Sequence, residues 1–207
     1  MNLRPLAAFL VVVAVFVSSV ASARPEPTTP GTYHDWHDVD EVTIIQPFNP
    51  SSYSQIAVES FDSAGVKLPD PNDNTYRAVL LAVRTMKPAF MEGVARNAKR
   101  KVGVSRSAKT LVIRARLTKV DPGSQAARYV VGFGAGAVKI AIAGEIVDGH
   151  SGKVLVRFVQ ERRSGFGLFG GGYAALFGRT ARQLGGDVAG LINAFSRAPV
   201  SFIPSVR

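Results

Sequence analysis

Apolar and polar positions along this chain follow two periods, and the switches between them outline an order of elements. Val42 to Gln46 and Gln55 to Asp62 are β-branched or alternating runs bounded by proline, asparagine and glycine, which predicts two strands. Asp70 to Asn74 supplies turn and helix-start residues, after which Val79, Leu80, Val83, Met86, Phe90 and Val94 recur at helical spacing. Pro88 lies inside that pattern; it removes a backbone donor and crowds the preceding turn, so a kink or two abutting helices is expected. Leu111, Ile113, Ala115 and Leu117 alternate with Val112, Arg114, Arg116 and Thr118, giving a strand one apolar and one mostly basic face. Val138, Ile140, Ile142 and Ile146 share the face of a further strand, with Gly144 among them where a ring or backbone must come close. Asp148 to Gly152 reverses the chain into Lys153 to Gln160, where Val154, Val156 and Phe158 share a face. Phe177, Ala181, Leu184, Val188, Leu191 and Phe195 then form one continuous helical stripe, weakened locally by Gly185 and Gly186.

The order is strand, strand, helix, strand, strand, strand, helix. It predicts an α+β fold: a mostly antiparallel sheet of about five strands with two long helices packed on one face. The pattern places a single domain at 42–197, preceded by an exposed, proline-containing lead-in at 24–41 and followed by an irregular tail at 198–207.

Composition adds an address. Arg4, the apolar run from Leu6 to Val17 and the small residues Ala21-Ser22-Ala23 have the three parts of a secretory signal, predicting cleavage after Ala23. The run is 12 residues long, short of the roughly 20 that span hydrocarbon. Cysteine is absent, which excludes disulfides, thiolate chemistry and a lipid-accepting cysteine. The expected location is therefore the periplasm, as a protein that is not a lipoprotein.

The formal charge of +10 changes meaning with that address. Outside the cytoplasm the available polyanions are lipid head groups, lipopolysaccharide phosphates and wall polymers rather than nucleic acid. Arg96, Lys99, Arg100, Lys101, Arg106 and Lys109 fall in one stretch without an intervening acid, which makes it the candidate contact surface, whereas Asp35 to Glu41 is locally acidic.

Candidate chemistry is sparse. Gly165, Gly167 and Gly170 spell G-x-G-x-x-G between a predicted strand and a predicted helix, but a dinucleotide site needs a following strand ending in an acid, and here Asp187 falls within the helix. The same segment carries Phe166, Leu168, Phe169 and Tyr173, apolar groups that can pack on their own sheet, dip into a membrane interface or fill a partner's groove. His34-Asp35-Trp36-His37-Asp38 holds two imidazoles and two carboxylates without the preset geometry a structural metal site needs. Glu145 could pair with Asp148 or Glu161 as acid and base, although Asp148 is accounted for by the turn it opens. No G-x-S-x-G elbow occurs, and no catalytic residue, cofactor or metal is expected.

The stretch Pro122-Gly123, then Arg128-Tyr129-Val130-Val131-Gly132-Phe133-Gly134-Ala135-Gly136, then Ile146-Val147-Asp148 and Gly152-Lys153-Val154-Leu155 resembles the bacterial envelope family known as domain of unknown function 4410. Patterning like that family's extends from about Val42 to Ile192. The resemblance implies export and a compact α+β domain; many relatives look like lipoproteins, from which this chain departs. The family has no established activity and so implies no catalytic residues. If extended, the segment places Gly132, Gly134 and Gly136 on one face as a bare strip of backbone for a ring or a partner strand.

The expected function is a noncatalytic envelope interaction module contacting an envelope protein or an anionic envelope polymer. Its candidate surface comprises Lys99, Arg100, Lys101, Arg114, Arg116, Arg128, Gly132, Gly134, Gly136, Phe166 and Phe169. The alternatives are an envelope-polymer hydrolase and a component that associates with membrane, or assembles, through the glycine-phenylalanine segment.

Overall fold

The computed structural model of the chain describes residues 30–103, 106–123, 137–164 and 172–195. The strands are β1 (Gly31–Trp36), β2 (Val39–Ile44), β3 (Gln55–Asp62), β4 (Lys101–Gly103), β5 (Thr110–Asp121), β6 (Lys139–Asp148) and β7 (Val154–Arg163). The helices are α1 (Tyr76–Arg84), α2 (Met86–Asn97) and α3 (Tyr173–Phe195), with a 3-10 turn at Pro50–Ser52. The fold is α+β, built on one seven-stranded sheet of order β1-β2-β7-β6-β5-β3-β4.

The sheet is mixed, with antiparallel pairs in the majority, and it has seven strands where about five were expected. Pairs β1–β2, β2–β7, β5–β6 and β6–β7 are antiparallel, whereas β3 runs parallel to β4 and to β5. The parallel pairs follow from connectivity: the α1–α2 crossover returns the chain to the end of the sheet where β3 began. Both unforeseen strands are edges. β4 is three residues long, too short for a period, and β1 is mostly exposed, so neither shows alternation. β1 and the start of β2 lie in the 24–41 segment read as a lead-in. Their hairpin is held by Gln160, buried on β7, whose Oε1 accepts from Asp40 N–H at 2.8 Å and whose Nε2 donates to the Asp38 carbonyl at 2.7 Å.

The face of β5 carrying Leu111, Ile113, Ala115 and Leu117 meets Ile142 and Ile146 of β6, Val156 and Phe158 of β7, and Val42 and Ile44 of β2 in one core with the helices. Gly144 sits in the row Ala115–Gly144–Phe158–Val42, where a Cβ would collide with the Phe158 ring and the Arg114 carbonyl. The expected close approach is thus to that ring. The hairpin predicted at Asp148 to Gly152 joins β6 to β7, closed by Gly152 N–H on the Asp148 carbonyl at 2.9 Å.

The predicted first helix is two abutting helices, and Pro88 explains where they divide. Proline is tolerated only in the first turn, where its missing donor has no helical partner. Accordingly α2 starts at Met86, two residues before Pro88, and the Thr85 hydroxyl donates back to the Ala82 carbonyl at 2.7 Å. Gly93 of α2 and Gly185 of α3 meet where these helices cross. A Cβ on Gly93 would run into the Arg182 carbonyl, and one on Gly185 into the Phe90 carbonyl. Gly185, read from the sequence as a local weakness, is therefore what lets the two backbones touch.

Asp187 of α3 fastens the helix layer to the sheet, accepting from Arg162 Nε and Nη2, both at 2.7 Å, and from Gln160 Nε2 at 3.2 Å. Hydrogen bonding to Asp187 raises the affinity of Arg162 for its proton above the ordinary guanidinium value. At the other end of the core, Tyr53 OH donates to Asp148 Oδ2 at 2.6 Å, while His150 N–H, Ser151 N–H and the Ser151 hydroxyl donate to Oδ1 at 3.0, 2.5 and 2.8 Å. Burial would raise the Asp148 pKa, but these four donors outweigh it and bring it from 3.8 to about 2. The Tyr53 phenol is pushed well above its ordinary range by burial and by the adjacent carboxylate.

Two tests follow from these contacts. Gly185→Val should destabilise the protein by about 3 kcal/mol through overpacking against backbone, whereas Gly190→Ala on the same helix, with open space at its Cβ, should stabilise it by about 0.5–1 kcal/mol; urea denaturation measures both. A depressed carboxylate contributes stability that is present above its unfolded pKa of 3.8 and is lost as pH falls toward about 2. Asp148→Asn should accordingly lower the thermal midpoint at neutral pH and flatten the part of its acid dependence lying between those two values.

Candidate interaction surface

The second face of the sheet has none of the described helices on it. The register that puts Leu111, Ile113 and Ala115 into the core places Arg114 and Arg116 on this face, with Glu145 of β6 and Arg157 of β7 in the row of Arg114. Arg157 Nε lies 3.1 Å from Glu145 Oε1, and Arg114 Nε lies 3.0 Å from Glu59 Oε2. Glu59 is displaced by a bulge between Val58 and Ser60, so its carboxylate takes both Arg114 and Arg106. The Arg106 hydrogen bond, helped by Arg114, holds Glu59 below the ordinary carboxylate range. Lys119 Nζ completes the pattern 3.0 Å from Glu161 Oε2. Much of the basic face predicted for β5 is therefore neutralised in place.

The basic run at 96–109 divides in the same way. Arg96 pairs with Glu92 and Arg106 with Glu59. Arg100 turns inward: its Nε donates to the Tyr53 carbonyl and its Nη2 to the Pro50 carbonyl, both at 2.9 Å, and burial lowers its pKa. It anchors the 3-10 turn, which corrects its assignment to the contact surface. Arg114, also named for that surface, shares the Glu59 carboxylate with Arg106. Lys99, Lys101 and Arg116 are exposed, and among the described residues their side chains have no ion-pair partner. Lys101 occupies edge strand β4, and Lys99 is fixed beside it through its backbone N–H, which donates to Asn193 Oδ1 at 3.1 Å. Arg128, Gly132, Gly134, Gly136, Phe166 and Phe169 lie outside the described residues, as do the glycines of the G-x-G-x-x-G sequence.

The carboxylates offered as an acid–base pair are not brought together. Glu145 stands opposite Arg114 on the second face, whereas Asp148 stands opposite Leu111 on the helix-bearing face and is occupied by Tyr53 and the turn. Glu161 is engaged by Lys119. His34 Nδ1 lies 3.9 Å from Glu41 Oε2 on the exposed hairpin, and among the described residues no three histidine, aspartate or glutamate side chains are grouped to hold a metal ion. Among the described helices none is long and apolar enough to cross a membrane. Sequence reasoning missed Glu59 as the counter-charge of this surface. The signal was available only in part: Glu59 is the charged residue interior to the Gln55 to Asp62 strand pattern, but its bulge is invisible in the sequence.

Among solved structures, the PelC dodecamer from Paraburkholderia phytofirmans is similar over 71% of this chain and 96% of its own, with 11% identity and a TM-score of 0.40. The protein CT253 from Chlamydia trachomatis is similar over 68% of this chain and 99% of its own, with 11% identity and a TM-score of 0.33. The protein XCC0632 from Xanthomonas campestris is similar over 67% of this chain and 82% of its own, with 14% identity and a TM-score of 0.28. No curated protein matches the chain. Residues 79–167, from α1 through β7 and just beyond, match the family model described as domain of unknown function (DUF4410), so over this stretch the chain is similar to the family its glycine-rich sequence resembles.

Proposed function

We propose that this chain is a noncatalytic interaction module of the cell envelope, exported to the periplasm by its amino-terminal leader and contacting an envelope protein or an anionic envelope polymer. The observation that carries this reading is how the cations of the predicted basic stretch and of the second sheet face divide between committed and exposed ones. Arg96, Arg106, Arg114, Lys119 and Arg157 are paired with acids, and Arg100 serves the fold, whereas Lys99, Lys101 and Arg116 are exposed with no acid partner among the described residues. An exposed ion pair contributes about 0–1 kcal/mol and offers little to a polyanion, but an unneutralised lysine or arginine gains counterion release when it meets one. The basic balance of the whole chain attracts the same partners at longer range.

Purified lipopolysaccharide is a suitable anionic probe. The combined reversal Lys99→Glu, Lys101→Glu and Arg116→Glu should weaken binding about tenfold at low salt while leaving the thermal midpoint nearly unchanged, and the difference should shrink as salt screens the surface. Arg100→Glu should instead lower the midpoint by breaking its two half-buried hydrogen bonds to the Tyr53 and Pro50 carbonyls. Binding that is insensitive both to the triple reversal and to salt would remove the polyanion as partner. Chemical crosslinking in intact cells, read by mass spectrometry, then tests the protein partner.

A further inference from the structure

β5 is longer than the strand beside it. It runs 12 residues from Thr110 to Asp121, whereas β3 is 8 residues long and its last partner on β5 is Arg116. From Leu117 to Asp121, across a register shift between Leu117 and Lys119, β5 pairs with β6 alone among the described strands, and the edge turned away from β6 has no described strand beside it. The chain leaving β3 swings outward through the segment before α1, and a cleft of about 650 Å³ opens between them. Lys67, Leu68 and Pro69 line one side; Thr118 to Gly123 line the other.

This position is where a βαβ unit places ligands: beyond the carboxyl ends of its parallel strands, here β3 and β5, and beside the start of the following helix. The charged groups in the cleft are mostly committed to one another or to backbone. Asp73 accepts from Thr75 N–H and the Thr75 hydroxyl, both at 2.7 Å; Asp121 accepts from Gly123 N–H at 2.9 Å; Lys119 pairs with Glu161. Two polar resources remain: the unpaired backbone edge of β5 and the ammonium of Lys67, which is exposed and has no hydrogen-bond or ion-pair partner among the described residues.

We infer that this cleft accepts an extended peptide segment of a protein partner, which adds as a strand to the free edge of β5 and places a carboxylate side chain on Lys67. The inference rests on the reading above in its protein-partner form. Main-chain hydrogen bonds to β5 supply affinity, Lys67 selects an acid at one position, and Leu68 and Pro69 receive an apolar neighbour. A bare anion would use Lys67 and leave the strand edge unsatisfied.

The test uses the purified chain and the blocked pentapeptide acetyl-Thr-Val-Glu-Val-Thr-amide, observed through the backbone amide resonances of the protein. The peptide should shift the resonances of Thr118 to Val120 saturably. Lys67→Glu, at an exposed loop position, or replacement of the peptide's glutamate by glutamine, should weaken binding about tenfold, as expected for one charge-assisted hydrogen bond. N-methylation of the peptide backbone along one edge should abolish it. No shift at Thr118 to Val120, equal binding of the N-methylated peptide, or an equal response to acetate alone would each overturn the inference. A photocrosslinker at Lys101 or at Thr118 in intact cells separates the two readings. Capture of a protein from Lys101 with no peptide response in the cleft overturns the cleft inference alone. Peptide binding in the cleft with no protein captured from either position supports the cleft and overturns the protein-partner reading.

Discussion

The fold depends on a contact that two glycines permit. Gly93 and Gly185 let the backbones of α2 and α3 touch at their crossing, with no room for a Cβ on either side. That approach lets Val94, Leu184 and Val188, all fully buried, fill the space over the sheet in a single layer. It also brings the flanking polar groups within reach: Arg182 Nε donates to Glu92 Oε2 at 2.9 Å, and Asn193 Nδ2 donates to the Asn97 carbonyl at 2.8 Å. A wider crossing would lift α3 and with it Asp187, whose bonds to Arg162 and Gln160 secure β7 and, through Gln160, the β1–β2 hairpin. One close helix contact thereby decides whether the far edge of the sheet is held.

Elements that bury one face were legible in the sequence, because burial imposes a period. β5 alternates from Ile113 to Thr118 and β7 from Val156 to Glu161, and α3 keeps one stripe over its whole length. Elements whose place comes from hydrogen bonding at an edge were not legible. β4 exists because Lys101, Val102 and Gly103 pair with Gln55, Ile56 and Ala57, and β1 because it pairs with β2; neither needs an apolar period. The direction of β3 relative to β5 was hidden for a related reason: a helix between two strands is compatible with either pairing until the crossover geometry is known.

The candidate surface was less legible than the fold, since sequence counts charges and structure pairs them. Six cations between Arg96 and Lys109 read as one patch, yet they face four environments: a helical ion pair, two half-buried backbone carbonyls, a bulged glutamate and open solvent. Arg100 shows why. Its neighbours in sequence are exposed lysines, but its guanidinium reaches back to Pro50 and Tyr53, some fifty residues earlier, and no local pattern records that contact.

A sheet with one face free of described helices faces a hazard, because exposed strand edges invite pairing with other chains. Its two outer edges are blunted. In β1 the ladder skips Asp35, which has a positive φ of 52°, between the pairs His34–Glu41 and Trp36–Val39. β4 is three residues long and carries an exposed lysine. The second face, on which none of the described helices lies, has ion pairs laid across neighbouring strands beside the buried Val112 and Val147, which make that part of it polar without giving it a strong field of one sign. The inner edge of β5 beyond Arg116 also carries a register shift, between Leu117 and Lys119, and an exposed lysine, but it opens into a cleft rather than onto flat surface. The difference between these edges is access: β1 and β4 lie at the outer limits of the sheet, where any chain can reach, whereas the edge of β5 is recessed, so a strand adding there, as we infer, must be narrow enough to enter the cleft.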